Sequence, residues 1–139
     1  MNNLIIKQSQ LVTAVITGTP TTGRRYTFSD IPNLSRNNIV LYGFEAYSAD
    51  QLSTTPDGKT VIAAADADQI AVTLKDTNNI EFVYQMPYYS LIKSLNGGFV
   101  VMLKPRIINL TECYIQLTDA TGIGAGEVAA FNLYYDIID

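Results

Sequence analysis

The chain contains no histidine and no tryptophan among its 139 residues, and it has a single cysteine. Without histidine it cannot build a Ser-His-Asp or Cys-His catalytic site, and histidine metal sites are excluded as well. Catalysis by two facing carboxylates needs no histidine, but most of the 13 acidic residues lie beside turn signals. We therefore predict that the chain is not an enzyme and that it holds no cofactor and no metal.

Charged residues are also scarce, at 16% of the chain, where soluble domains have about 25%. Low charge fits a surface partly covered by neighbouring molecules, and uncharged polar side chains in place of charged ones are the alternative. The net charge of −4 argues against a protein that grips nucleic-acid backbone. Arg24 and Arg25 form the one adjacent basic pair, and we interpret them as a solvated loop end rather than a phosphate site.

Disulfides and membrane segments are missing too. Cys113 has no second cysteine to pair with. The spacing of two puts it on the same strand face as Ile115 and Leu117, so we predict a reduced core residue. No run approaches the about 18 apolar residues of a membrane helix. The polar residues 7–10 interrupt the apolar start, so we also expect no signal peptide.

What the sequence does contain is apolar residues at a spacing of two, in short runs broken by Gly, Pro, Asn and Asp, which is typical of β-strands. In the clearest hairpin, Ile70, Val72 and Leu74 form one apolar face, and Ile80, Phe82 and Tyr84 continue it after the turn. The pattern predicts eight or nine strands, over residues 4–17, 24–32, 38–47, 60–63, 70–74, 80–84, 98–105, 106–119 and 128–138.

One short helix is predicted over residues 87–95. Pro87 suits a first helical position, Leu91 and Leu95 are four residues apart, and Gly97 can end the last turn. The strand spacing predicts a single all-β domain over residues 1–139, built as a two-sheet sandwich. We prefer a single jelly roll of about eight antiparallel strands, with another Greek-key sandwich as the alternative. An immunoglobulin-like topology is disfavoured because its typical tryptophan and cysteine pair are missing.

Several polar motifs have a simple structural interpretation. Asp66 and Asp68 have a spacing seen in calcium loops, but the glycine and distal glutamate of an EF-hand are absent, so we expect a solvated turn. The glycine-rich segment 122–126 leads into a strand rather than a helix, which indicates a flexible loop and not a nucleotide site. The glycosylation sequon at residues 109–111 is interpreted as a chance match.

Glu45 lies inside the predicted strand 38–47, where the spacing of two puts it on the same face as Leu41 and Tyr47. Either it is an acid at the edge of a sheet that reaches water, or it pairs with an arginine of a neighbouring chain.

The predicted strand 38–47 is apolar on both faces, so other residues must cover its second face. Neighbouring subunits and the predicted helix are two equal candidates for that cover.

Tyrosine is abundant, with nine residues, and exposed tyrosine is typical of contact surfaces. At least one residue of the pair Tyr88 and Tyr89, and one of the pair Tyr134 and Tyr135, should lie outside the core. The candidate interface residues are Tyr42, Phe44, Glu45, Tyr47, Tyr88, Tyr89, Tyr134 and Tyr135.

Three segments carry a resemblance to a known family: MNNLIIKQSQ at the start, DIPNLSRNNIVLYGFEAYSADQLSTTPDGKTVI, and MPYYSLIKSLNGG before a long strand. In these the chain resembles the single jelly-roll capsid proteins of icosahedral bacteriophages, of the penton or minor capsid type. The resemblance implies a structural virion subunit, assembled in the host cytoplasm, that associates with itself or with a major capsid protein. It implies no catalytic residues.

Two other functions stay open. A carbohydrate-binding module would stack sugars on tyrosines such as Tyr88, Tyr89 or Tyr134, although tryptophan is missing. A phage fibre or receptor-binding domain would form a trimer rather than part of a shell.

Overall fold

The computed structural model describes residues 8–29, 31, 38–92 and 100–138. Within these residues the chain forms eight strands and three short 3₁₀ helices. The strands are β1 (Gln8–Val15), β2 (Arg25–Thr27), β3 (Asn38–Tyr47), β4 (Ile70–Lys75), β5 (Glu81–Pro87), β6 (Val100–Ile108), β7 (Tyr114–Leu117) and β8 (Val128–Ile138). The 3₁₀ helices are Ala64–Gln69, Tyr88–Leu91 and Leu110–Glu112.

The strands form two four-stranded sheets. The first sheet has the order β1-β8-β3-β6 and the second sheet has the order β2-β7-β4-β5, with all neighbours antiparallel. The pairs are nested: β1 lies beside β8, β2 beside β7, β3 beside β6 and β4 beside β5. The prediction of an all-β sandwich of about eight antiparallel strands is confirmed.

The core lies between the two sheets and follows from the alternation of side chains along each strand. On β8 the residues that face inward are Phe131, Leu133 and Tyr135, and all three are buried. The ring of Phe131 packs edge-on against Tyr88, with 5.3 Å between ring centres. On β4 the predicted apolar face of Ile70, Val72 and Leu74 is confirmed as buried core.

A bulge in β3 changes which of its residues face the core. Leu41 pairs with Tyr135 and Gly43 with Tyr134, so β3 holds one extra residue, Tyr42, opposite a single step of β8. Because one inserted residue reverses the alternation, Leu41 and Phe44 both face inward. The prediction that Glu45 shares a face with Leu41 is therefore wrong, and Glu45 lies on the outer face, where it contacts Tyr47 as the predicted spacing indicates.

Part of the outer face of the first sheet is covered by the segment 48–62, which joins β3 to the first 3₁₀ helix. Val61 and Leu52 from this segment pack on Val128 and Ala130 of β8, and Leu11, Val15 and Tyr47 complete this second apolar cluster. Backbone hydrogen bonds fix the segment, because the N–H of Ile62 donates to the carbonyl of Val128 over 3.0 Å. This cover is internal, but it is not the predicted helix: Tyr88 and Leu91 lie in the main core.

The helix predicted over residues 87–95 is a single 3₁₀ turn, Tyr88–Leu91, and Leu95 and Gly97 lie outside the described residues. The other two 3₁₀ helices were not predicted. Residues 60 and 61 form only isolated bridges in place of the predicted strand 60–63. In the turn before them Gly58 adopts a φ of +85°.

Two predicted boundaries near Pro105 are wrong. β6 does not end there but runs through Pro105 to Ile108. It is an edge strand, and its pairing with β3 jumps from Arg106 to Val101, so the proline lies in a bulge where a missing N–H donor is tolerated. The predicted long strand 106–119 is interrupted by the 3₁₀ helix Leu110–Glu112.

The buried hydroxyl of Tyr88 ties the end of the first sheet together. It accepts the N–H of Ala130 over 3.1 Å and donates to the carbonyl of Tyr47. Removing it would leave buried backbone groups of both β3 and β8 without their partner. We expect Tyr88→Phe to lower the free energy of unfolding by about 1–3 kcal/mol, as measured by urea denaturation.

The matched control is Tyr84→Phe, because Tyr84 is 59% exposed and loses the same hydroxyl. Its unfolding free energy should stay within about 0.5 kcal/mol of the parent. Equal losses in the two variants would contradict the role given to Tyr88.

Candidate functional site

The outer face of the first sheet carries a cluster of one acid and two tyrosines, which we call the Glu45 cluster: Glu45, Tyr47 and Tyr134. β3 supplies Glu45 and Tyr47, and β8 supplies Tyr134, which lies opposite Gly43. The Oε1 atom of Glu45 accepts the hydroxyl of Tyr47 over 2.9 Å and that of Tyr134 over 3.2 Å. The carboxylate is thereby held by hydrogen bonds within one sheet face.

Neither hypothesis for Glu45 agrees with this arrangement. β3 lies between β8 and β6, so Glu45 is not at an edge, and it is only 1% exposed. Burying a carboxylate is costly unless hydrogen bonds satisfy it, and here tyrosines of the same chain donate them. The sequence identified the unusual acid but not its partners, because the β3 bulge decides which face it occupies.

The environment keeps the two phenols of the Glu45 cluster protonated. Burial, followed by the hydrogen bond and charge of Glu45, raises the pKa of Tyr47 well above its ordinary value. Burial and the Glu45 charge also raise the pKa of Tyr134. Near neutral pH both hydroxyls therefore act as donors to the same oxygen of Glu45.

Three of the candidate interface residues are wrong, because they lie in the core. Phe44, Tyr88 and Tyr135 are buried inside the sandwich and present no side-chain surface to a partner. Alternation alone did not reveal this, since Phe44 follows the bulge and Tyr88 follows β5.

Glu45 is buried as well, whereas the other four candidates reach the surface. Tyr89 is exposed, whereas Tyr42, Tyr47 and Tyr134 are half-buried. Each of the two tyrosine pairs thus has a member outside the core, namely Tyr89 and Tyr134, which confirms that prediction.

The large hydrophobic residues most exposed within the described part of the chain lie in the edge strand β5 or next to its ends. They are Ile80, Tyr84 and Tyr89, at 55%, 59% and 47% exposure, and we call them the β5 surface. The prediction that Ile80 and Tyr84 belong to a core face is wrong. Ile80 lies in the turn that Asp76 holds, and Val83 rather than Tyr84 fills the core position opposite Leu74. Beyond Tyr84, an extra residue between Val83 and Met86, with Gln85 at a φ of +50°, turns the strand.

Other predicted residues occupy structural positions. Cys113 is buried and unbridged, as predicted, and burial raises its pKa to about 11, so it is a poor nucleophile. Asp66 and Asp68 lie in the first 3₁₀ helix. In residues 8–29, 31, 38–92 and 100–138, no group of three or more Cys, Asp or Glu could hold a metal ion.

The remaining motifs lie in turns. Residues 122–126 form the loop before β8, with Gly122 and Gly126 at positive φ. In the sequon segment the Thr111 hydroxyl donates to the Asn109 side chain over 2.8 Å. Across the part of the chain that the structure describes, no helix is long and apolar enough to cross a membrane.

An ion pair that the sequence did not indicate joins the two sheets at the turn after β4. Arg106 of β6 contacts the buried carboxylate of Asp76 at 3.2 Å. The other carboxylate oxygen of Asp76 accepts the N–H groups of Asn78 and Ile80, both at 2.9 Å. Asp76 therefore shapes the turn and anchors it to the first sheet, which is a structural role.

The charge of Glu45 should govern the ionisation of its neighbours. We expect Glu45→Gln to let Tyr47 and Tyr134 ionise at lower pH than in the parent, because the variant removes the negative charge that opposes a nearby phenolate. NMR titration of isotope-labelled tyrosine rings measures the onset of ionisation.

Glu112→Gln is the control, since it removes the same charge from an exposed residue of the third 3₁₀ helix. If both variants shift these two tyrosines equally, Glu45 does not control them.

The comparisons with known proteins give no family for this chain. No protein-family model, curated protein or solved structure matches it.

Proposed function

We propose that this chain is a non-catalytic structural subunit of a bacteriophage capsid, of the penton or minor capsid type, and that its sandwich is a single jelly roll. The observation that carries the proposal is the nested pairing of β1 with β8, β2 with β7, β3 with β6 and β4 with β5. One long antiparallel hairpin wrapped into two sheets produces this pairing, and such jelly rolls are common in viral capsid domains.

The β5 surface supports a role in contact with other subunits. Isolated exposed hydrophobic residues are ordinary. Here, however, three of them belong to one edge strand and its two ends: Ile80 directly before β5, Tyr84 within it and Tyr89 in the 3₁₀ turn after it. Tyrosine is enriched at protein interfaces because it combines a large apolar ring with a hydroxyl. Copies that met through this surface would remove these side chains from water.

The geometry of β5 favours contact through side chains over extension of the sheet. The bulge at Gln85 twists the edge, and Pro87 has no N–H to offer to an added strand. A subunit with this edge can join neighbours in a fixed orientation without forming open-ended fibres. A closed shell needs that property.

Self-association is the direct test. We expect the purified chain to form an oligomer whose population rises with protein concentration, as measured by size-exclusion chromatography with light scattering. Tyr84→Ser and Tyr89→Ser should each shift the equilibrium towards the monomer, because they remove apolar area from the contact.

Glu112→Ser is the matched control, because it shortens an exposed side chain on a different part of the surface. It should leave the association unchanged. A chain that stays monomeric at every concentration and salt level would contradict self-assembly, and a discrete trimer would favour the fibre-type alternative.

A carbohydrate-binding module is the second candidate, and the exposed rings of Tyr84 and Tyr89 favour it. Tyr88 cannot take part, since it is buried. A glycan array distinguishes this function: binding that is lost in Tyr84→Ser or Tyr89→Ser would support it, and signals at background would exclude it.

A further inference from the structure

A groove on the side of the sandwich collects three of the nine basic residues of the chain. It lies where β1 ends and β2 begins, and it has a volume of about 680 Å³. Arg24 and Arg25 line it from the start of β2, and Lys59 lines it from the segment that covers the first sheet. Hydroxyl-bearing residues complete the walls, namely Thr17, Thr27 and Ser29.

The two arginines are held by tyrosine rings. The guanidinium of Arg24 lies 5.2 Å from the ring centre of Tyr26, and that of Arg25 lies 4.5 Å from the ring centre of Tyr114. Such stacking fixes the plane of a guanidinium while leaving its N–H groups available. Both side chains are exposed, and Arg24 and its stacking partner Tyr26 both line the groove.

The described residues that line the groove include three bases and no acid. Within the described ranges neither arginine nor Lys59 makes a salt bridge. Asp57 lies in the same loop as Lys59, and the hydroxyl of Thr55 and the charge of Lys59 both lower its pKa. An excess of positive charge therefore remains along the groove, and it favours a multiply charged anion.

We propose that this groove binds the phosphate chain of a small polyphosphate ligand, such as inorganic tripolyphosphate or a nucleoside triphosphate. Arginine forks bind phosphate oxygens in pairs, lysine adds a point charge, and hydroxyl groups supply further donors. A single carboxylate would engage one arginine and leave the other two cations unbalanced. The volume of the groove exceeds what one phosphate group fills, so a short chain fits the site better.

The charge of the whole molecule restricts the ligand to a small one. The net charge is −4, so the residues outside the three groove cations together carry −7. A long nucleic acid would extend beyond the groove onto this acidic surface, which repels it. This inference is independent of the proposed capsid role, because the groove is separate from the β5 surface.

Isothermal titration calorimetry of the full chain with tripolyphosphate tests the site. We expect one ligand per chain, with an affinity that falls as NaCl is raised. Lys59→Gln should weaken binding about tenfold, the loss typical of one charged hydrogen bond. Lys104→Gln removes the same charge from an exposed position on β6 and should leave the affinity unchanged.

Two further variants separate a binding loss from a folding defect. Arg24→Lys keeps the charge but loses the planar fork, so binding should weaken while thermal stability is retained. Lys59→Gln does not touch the tyrosine stacking, so it reports on the ligand even if an arginine variant unfolds.

The ligand series identifies the source of the phosphate chain. Equal affinities for tripolyphosphate and a nucleoside triphosphate mean that the phosphates alone are bound, and tighter binding of the nucleotide adds its base or sugar. No binding of either ligand, or equal weakening by Lys59→Gln and Lys104→Gln, overturns the proposal. So does a single-stranded oligonucleotide that binds more tightly than both, or a groove variant that alters only the oligomeric state.

Discussion

The reversed pairing of the first half of the chain with the second half is the constraint on which the rest of the structure depends. β8 lies at the centre of this arrangement, between β1 and β3. Its inner face supplies Phe131, Leu133 and Tyr135 to the core, and its outer face supplies Val128 and Ala130 to the second apolar cluster. β8 therefore contributes residues to the core, to the outer apolar cluster and, through Tyr134, to the Glu45 cluster.

The outer cover explains part of the low charge of this sequence. A sheet in a sandwich usually shows one face to water, but here the segment 48–62 shields part of that face with Leu52 and Val61. Apolar residues on both sides of β3 and β8 are therefore satisfied within one chain. The scarcity of charge does not by itself require a neighbouring subunit, and the exposed side chains at β5 are the feature that favours contact with one.

Side-chain alternation was enough to identify the all-β class, the hairpin of β4 and β5, the long strand β8 and the burial of Cys113. Alternation fails wherever one residue is inserted, because the bulges at Tyr42 and Gln85 reverse the faces that follow them. The sequence also does not mark edge strands, so Pro105 was interpreted as a strand end. Contacts between distant segments could not be predicted for the same reason: only the fold brings Lys59 to the groove that Arg24 and Arg25 line, or Tyr134 to Glu45.

The central position of β8 has a consequence for synthesis on the ribosome. The first sheet lacks a strand between β1 and β3 until β8 emerges, after every other strand has left the exit tunnel. Until then the nascent polypeptide displays two unpaired edges and the apolar side chains of β3. Sandwiches whose sheets pair distant segments of the chain fold slowly and pass through aggregation-prone intermediates. A chaperone that binds extended apolar segments would therefore protect this protein during translation.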